Sequence, residues 1–218
     1  MKQGIIFDMD GTLWDSSEQV AVSWNLAIQE AGLARRELTG EDIRNVMGKT
    51  MDVIAGILFP DLAQDVRGKL LERCCVREND YLRANGGRLY EGVRDTFLKL
   101  RESGYEVCIV SNCQKGYVEA FLDYYQLWDC VDDIECYGNN LKQKGENIRL
   151  VADRRHLAEA VYVGDIQGDY EASVKAGVGF IHAAYGFGTV DAKVERIRTL
   201  GELPALVHSL LREGNGGA

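Results

Sequence analysis

The segment Ile5-Ile6-Phe7-Asp8-Met9-Asp10-Gly11-Thr12-Leu13 constrains the fold more than any other part of the chain. A continuous apolar run of this length reads as a strand buried on both faces. It stops at two aspartates, and Gly11 lets the backbone turn sharply away. Two carboxylates at i and i+2 at a strand's end reach one site together. There they can share a hard cation, or divide the work of nucleophile and general acid. The plain alternative is a strand followed by a solvated acidic turn, since Asp and Gly are ordinary turn residues.

The same texture returns after Gly86-Gly87. Residues 107–110 read as a strand ending at Ser111-Asn112, 134–137 as a short strand, 161–163 as a strand ending at Gly164-Asp165, and 179–182 as another. Helical patterns lie between them, over 91–102, 115–125, 145–153 and 170–176, with Gly104 and Gly177 as stops. Strands alternating with helices predict an α/β fold, a Rossmann-like parallel sheet with helices on both faces. In such sheets functional groups gather at the carboxyl ends of the strands.

Residues 15–85 have a different pattern, helical throughout, with no strand expected. Asp15, Ser16 and Ser17 with Glu18 suggest a capping box. Val20, Trp24, Ala27, Ile28 and Ala31 then recur at helical spacing up to Gly32, and Thr39 caps a second helix. The expected organisation is a core of 1–14 and 86–218 interrupted by a helical insert, 15–85. The glycine-rich end, Gly214 to Ala218, reads as a loose tail.

At 218 residues the chain is long enough for a core plus a smaller insert. The net charge of −9 comes with no basic block, which disfavours nucleic acid as a partner. None of the cysteines forms a CxxC pair, and His156 is not at zinc-finger spacing from any pair of them. Cys108 reads as a small core residue and Cys74-Cys75 as helix packing. No apolar run is long enough to span a bilayer and no signal-peptide pattern opens the chain, so no membrane partner is expected. Together these features suggest a reduced, cytoplasmic protein. Oligomeric state is not legible.

Four points carry chemistry: Asp8-x-Asp10-Gly11-Thr12; Ser111-Asn112; Lys144, directly before a predicted helix; and Gly164-Asp165-Ile166-Gln167-Gly168-Asp169. Carboxylates, a hydroxyl, an amide and an ammonium suit phosphoryl transfer with a magnesium ion, in which cations and donors hold the charged oxygens. Asp165 and Asp169 taken alone would read as a helix cap, and Ser111 as a strand-end turn residue.

In order and spacing these points resemble the haloacid dehalogenase superfamily of hydrolases, in particular its phosphoglycolate phosphatase-like members with a helical cap domain inserted after the first strand. The resemblance covers nearly the whole chain. It implies a magnesium-dependent phosphatase acting on a small phosphorylated metabolite. Asp8 would be the nucleophile that becomes an aspartyl phosphate. Asp10 would be the general acid and then the base, with its backbone carbonyl on the metal. Ser111 and Lys144 would hold phosphate oxygens, with Thr12 and Asn112 in support. Asp8 and Asp165 would be metal ligands, with Asp169 behind them. The family's lysine is usually followed by proline, whereas Gly145 follows Lys144 here. Lys142 is therefore the alternative, and the position before the helix favours Lys144.

Gly48-Lys49-Thr50 looks like the end of a phosphate-binding loop, but the earlier glycine is not at the required spacing and no strand leads into it. In the family the cap faces the site, which would bring Lys49 toward substrate. Trp14 reads as hinge packing or as a substrate wall, and Tyr185-Gly186-Phe187-Gly188 as a loop at the site's rim. No role is assigned to the histidines. The second aspartate disfavours dehalogenation, and no cap lysine of the phosphonate-cleaving kind is identifiable. A sugar-phosphate mutase and a non-catalytic phosphate-binding module remain as alternative readings.

Overall fold

The computed structural model describes residues 2–213; the expected tail Gly214 to Ala218 lies outside them. The chain opens with strand β1 (Lys2–Phe7) and a two-residue strand β2 (Trp14–Asp15). Helices α1 (Ser17–Glu30), α2 (Gly40–Arg44), α3 (Met51–Leu58) and α4 (Gln64–Asn85) follow. Strand β3 (Arg88–Leu89) brings the chain back, antiparallel to β2 with Trp14 opposite Leu89. Next come α5 (Val93–Glu102), β4 (Glu106–Ser111), α6 (Tyr117–Tyr125), β5 (Asp133–Cys136), α7 (Tyr137–Asn140) and α8 (Lys144–Arg154). The chain continues through β6 (Leu157–Gly164), α9 (Gln167–Ala176), β7 (Gly179–Ala183), β8 (Glu195–Ile197) and α10 (Leu203–Glu213).

The main sheet has the order β5-β4-β1-β6-β7-β8, and every pairing in it is parallel. From β1 the chain builds outward on one side through β4 and β5, then crosses to build the other side. The loops that leave β1, β4 and β6 therefore diverge, and a crevice opens at their carboxyl ends.

Alternation along β1 explains why its sequence is apolar without interruption. Ile5 and Phe7 join one cluster with Phe97 and Leu100 of α5 and Phe121 of α6. Ile6 faces the other way, into a cluster with Cys108, Val110, Ile148 and Tyr162 beneath α8 and α9. Each such side chain contributes about 1.5–3 kcal/mol by leaving water, so a charge anywhere in Ile5–Phe7 would be strongly disfavoured. The run can turn polar only where the strand leaves the sheet, at Asp8.

The first cluster does not stop at the sheet. It continues through Trp14 to Val20, Trp24, Phe59 and Cys74, so the helical segment is packed onto the core. Polar contacts from α4 add to this: Asn79 Nδ2 donates to the Lys115 carbonyl just before α6 (2.8 Å) and Arg83 Nε to Asp123 within it (2.9 Å).

Four local expectations need correction. The chain has a strand residue where none was expected, Asp15 in β2. For the same reason Asp15 does not form a capping box with Glu18. Its carboxylate accepts from Ser17, within the turn, and from Arg88, while Glu18 pairs with Arg44. Lys144 is the first residue of α8 rather than the residue before it. Finally, β8 and α10 were not anticipated; β8 is only a short edge strand, with little pattern to read.

Candidate active site

Asp8 follows the last residue of β1, and its N–H still donates to the Val163 carbonyl of β6 (2.9 Å). The neighbouring strand thus aims the carboxylate into the crevice. Lys144 meets it there. The Lys144 ammonium donates to Asp8 Oδ1 at 2.8 Å and to Asp169 Oδ1 at 2.7 Å. Lys144 is 5% exposed, Asp8 2% and Asp169 0%, so this triad is out of water. Lys142, the alternative, is exposed, and its contacts are made by its backbone: its N–H donates to Asn140 and its carbonyl accepts from Asn147.

Asp165 leads out of β6. Its Oδ2 accepts the Phe187 N–H (2.7 Å), while its Oδ1 is buried without a partner. Asp8, Asp165 and Asp169 each place a carboxylate oxygen within 4.8 Å of the others. Three clustered acids around an orphaned oxygen offer the kind of oxygen donors that a hard divalent cation takes. Their roles differ. Asp169 Oδ2 is already occupied by the N–H groups of Asp165 and Ile166 (3.0 and 3.2 Å), and its Oδ1 by Lys144. Asp169 therefore holds the loop and the lysine, leaving Asp8 and Asp165 with ligand capacity.

The electrostatics follow from burial. Asp8 is held above the usual carboxylate range by burial and by Asp169's charge, against the pull of Lys144. Asp165 is raised by burial, then by Asp169 and Asp8, with the Phe187 N–H opposing. Burial alone would lower Lys144; the charges of Asp169 and Asp8 outweigh it and hold the ammonium above the ordinary lysine range. A divalent cation would relieve the same carboxylate crowding that raises Asp8 and Asp165.

Asp10 faces elsewhere. Its Oδ1 accepts from the Tyr117 hydroxyl (2.6 Å) and from Ser16 Oγ (2.8 Å), two hydroxyls themselves 2.8 Å apart. Burial pushes this carboxyl up to about 6 against those two hydrogen bonds. A carboxyl tuned there, with its orientation fixed, suits proton exchange near neutral pH. The side chain of Asp10 lies outside the three-acid group, which leaves its backbone carbonyl as its means of reaching a cation.

Ser111 and Asn112, at the end of β4, line a small cavity with Asp10. Asn112 Nδ2 donates to the Gly48 carbonyl (2.9 Å), so the loop after α2 is tied directly to the core. Gly48 has φ +81°, and a side chain there would strike Ile166. Lys49 is exposed but lines the same cavity. Thr12 is fully buried and its Oγ1 has no partner, while its carbonyl accepts from Tyr185 (2.8 Å). Trp14 is a packing residue, edge-on to Tyr117, Phe121 and Tyr125 and absent from the cavity wall. The rim expected at 185–188 bonds to both halves of the site. Gly186 lies so close to Asp165 that a Cβ would collide with it.

Sequence reasoning missed Ser16, Tyr117, Tyr162 and His182. The Tyr162 hydroxyl donates to the Val110 carbonyl (2.8 Å) and stands 3.3 Å from Asp8 Oδ1, and His182 Nε2 lies 3.1 Å from the Asp165 carbonyl. In sequence both tyrosines look like ordinary core aromatics.

Residues 5–183 match the family model for haloacid dehalogenase-like hydrolases. The chain belongs to this family. Among curated relatives, the phosphoglycolate phosphatase of Aliivibrio fischeri is 27% identical over 194 residues, 84% of each chain. That of Nitrosospira multiformis is 27% identical over 193 residues, 85% of this chain and 84% of its own. Among solved structures, a haloacid dehalogenase-like hydrolase of Bacteroides fragilis superposes with a TM-score of 0.79 at 25% identity, covering 93% of this chain and 100% of that one. CbbY of Rhodobacter sphaeroides, solved with xylulose 1,5-bisphosphate, gives a TM-score of 0.74 at 19% identity over 93% and 96% of the two chains, a likeness of fold. By family and by these relatives the chain is an enzyme, a phosphatase of the haloacid dehalogenase-like kind. Among the described residues no helix is long and apolar enough to cross a membrane.

Proposed function

We propose that this phosphatase hydrolyses a small phosphomonoester through an aspartyl phosphate on Asp8, with magnesium as cofactor. The observation that carries this reading is the placement of Lys144 between Asp8 and Asp169 beside the unpartnered Oδ1 of Asp165. It supplies a nucleophile, a fixed cation and open ligand capacity in one dry pocket.

Asp8 attacks phosphorus, forming the Asp8–phosphate bond as the ester P–O bond breaks. The leaving oxygen takes the proton of Asp10. Asp10, now a carboxylate, removes a proton from the water that attacks the aspartyl phosphate, and free phosphate leaves Asp8. Lys144 orients Asp8 and holds a phosphate oxygen, with Ser111, Thr12 and Asn112 as further donors. Asp8, Asp165 and the Asp10 carbonyl would hold magnesium, with Asp169 in support; bound there, it would screen the repulsion between the phosphate and the carboxylates. In this reading residues 15–85 are a cap over a core of 1–14 and 86–218. The bond from Asn112 to Gly48 supports closure of that cap over the phosphate end of the cavity.

The test is phosphate release from a panel of phosphorylated metabolites, with and without magnesium, with Asp8→Asn as the blank. Magnesium-dependent release that vanishes in Asp8→Asn is the expected result. Full activity of purified Asp8→Asn would refute the mechanism.

A further inference from the structure

The cavity that begins at Asp10 and Ser111 ends at a carboxylate the mechanism does not use. Glu78, on α4, is 3% exposed. Its Oε2 accepts the Trp24 indole N–H at 2.5 Å, the Gln114 amide also donates to its carboxyl, and among the described residues no lysine or arginine pairs with it. A carboxyl buried without a cation is disfavoured unless donors reach it; two neutral donors do, and its place on the cavity wall leaves it able to accept another from a bound molecule.

A second acceptor stands beside it. The Lys115 carbonyl fixes the amide of Asn79, whose Nδ2 donates to it (2.8 Å). Asn79 Oδ1 then takes the Gln114 Nε2 hydrogen (3.0 Å). This orients Gln114 so that its Oε1 is buried with no partner, on the same cavity wall as Glu78. The rest of the inner wall, including Val20, Ile43, Val46 and Ile54, is apolar. Lys49 is the cation on this cavity, and it sits at the exposed side. The inner end therefore offers acceptors and hydrocarbon.

We propose that Glu78 reads the leaving group, and that the substrate is the phosphate ester of a short alcohol carrying a hydrogen-bond donor, a hydroxyl or an ammonium, rather than a carboxylate. This rests on the phosphatase reading above and narrows it. A carboxylate on the leaving group would be set against the Glu78 carboxyl and the Gln114 Oε1 at the inner end, with Lys49 at the exposed side. Size limits the alcohol as well. The cavity holds about 40 Å³, room for roughly three water-sized groups at about 10–15 Å³ each. That favours a short alcohol over a nucleoside.

The experiment uses the full chain with magnesium and compares kcat/KM for four small esters: glycerol 1-phosphate, phosphoethanolamine, propyl phosphate and phosphoglycolate. Asp8→Asn gives the blank, and acetyl phosphate, whose leaving group is activated and short, reports on the phosphatase chemistry itself. A donor-bearing ester is expected to exceed both propyl phosphate and phosphoglycolate by on the order of 100-fold, the worth of a hydrogen bond to a buried charged acceptor. Whichever of the two donor esters leads identifies the donor as hydroxyl or ammonium. Measured at pH 8.5, where Glu78 is ionised, Glu78→Gln should narrow the gap to phosphoglycolate at least about tenfold, mainly through KM, because Gln offers an N–H where an ionised Glu offers only acceptors. A purely structural Glu78 would lower all rates together and leave the ratios alone. Phosphoglycolate as the best ester in the unmutated enzyme, with its turnover lost in Lys49→Ala, would overturn the proposal whether or not Glu78→Gln folds. No release above the blank from any ester, acetyl phosphate included, would instead sink the phosphatase reading, and this one with it.

Discussion

Removing Lys144 should cost stability in a way that depends on pH, and the structure gives the size. The ammonium lies 2.8 and 2.7 Å from two buried carboxylates. At an effective dielectric constant near 20, each contact is worth about 6 kcal/mol of gross attraction. Desolvation of the three ions offsets most of that in the intact protein. In Lys144→Ala the desolvation remains and the attraction is gone, which typically costs about 3–5 kcal/mol. Protonation sets the ceiling. Placing a proton at pH 8 on a carboxylate whose ordinary value is near 3.9 costs roughly 5.6 kcal/mol, and at pH 5.5 only about 2.2, at about 1.36 kcal/mol per pH unit. Lys144 is held above its ordinary range, so it stays charged at both values and does not itself set the slope. The expected loss is therefore about 3–5 kcal/mol at pH 8, a fall in Tm of roughly 6–20 °C for a chain of this size, and about 2 kcal/mol at pH 5.5. Thermal and urea unfolding in a chelator would measure both. Lys142→Ala is the control and should stay within about 0.5 kcal/mol of the unmutated protein. A Lys144→Ala protein as stable as that control at pH 8 would refute the reasoning.

Three further outcomes follow from the same site. Without metal, Asp8 and Asp165 titrate above their unfolded values, so the folded state binds more protons than the unfolded. Their contribution is thus fully present below pH 4 and declines as pH rises through the folded values. Magnesium competes with those protons, and its stabilisation measured by thermal shift should be larger at pH 8 than at pH 6; an equal shift would exclude these two carboxylates as ligands. Asp165→Asn should abolish that shift while leaving the fold intact by circular dichroism. Tyr117→Phe removes a hydrogen bond that holds the Asp10 pKa down, so Asp10 should rise above about 6 and the alkaline limb of the kcat/KM profile, which requires its proton, should move to higher pH; an unmoved limb would remove Asp10 as the acid.

What could be read in the chain and what could not divide along a physical line. Asp8, Asp10 and Thr12 sit within five residues, and Asp165 and Asp169 within five more. The strands before them are contiguous apolar runs, so both the fold and these side chains were legible locally. Lys144 needed the helix boundary as well, and its burial and its contacts with Asp8 and Asp169 separate it from Lys142 in the structure. Tyr117 reaches Asp10 across 107 positions and Tyr162 reaches Asp8 across 154. Their periodicity marks them as core, which they also are, and nothing in a core pattern says that a hydroxyl at its edge will meet a carboxylate. Asp15 shows the reverse error. Its neighbours made it half of a capping box with Glu18; its Oδ1 does accept from Ser17 at the start of α1, but the return strand 73 positions later supplied Arg88 to its Oδ2 and Glu18 went to Arg44.

Glu78 is the sharpest case of the same rule. On α4 it is one charged residue in a helix rich in them, and the neutral expectation is a solvated face. Its chemistry comes from what it is buried against: Trp24 from α1, Gln114 from the loop after β4, and Asp10, whose charge helps burial push Glu78 up to about 7. Three separate segments must converge before that carboxylate can discriminate anything. In the proposed mechanism the catalytic groups sit at the ends of core strands, whereas selection of the leaving group would fall to a surface assembled between the helical segment and the core. Relatives at 27% identity therefore inform the chemistry of Asp8 more securely than they inform the ester, because the chemistry is held by short local motifs and the ester by contacts among distant ones.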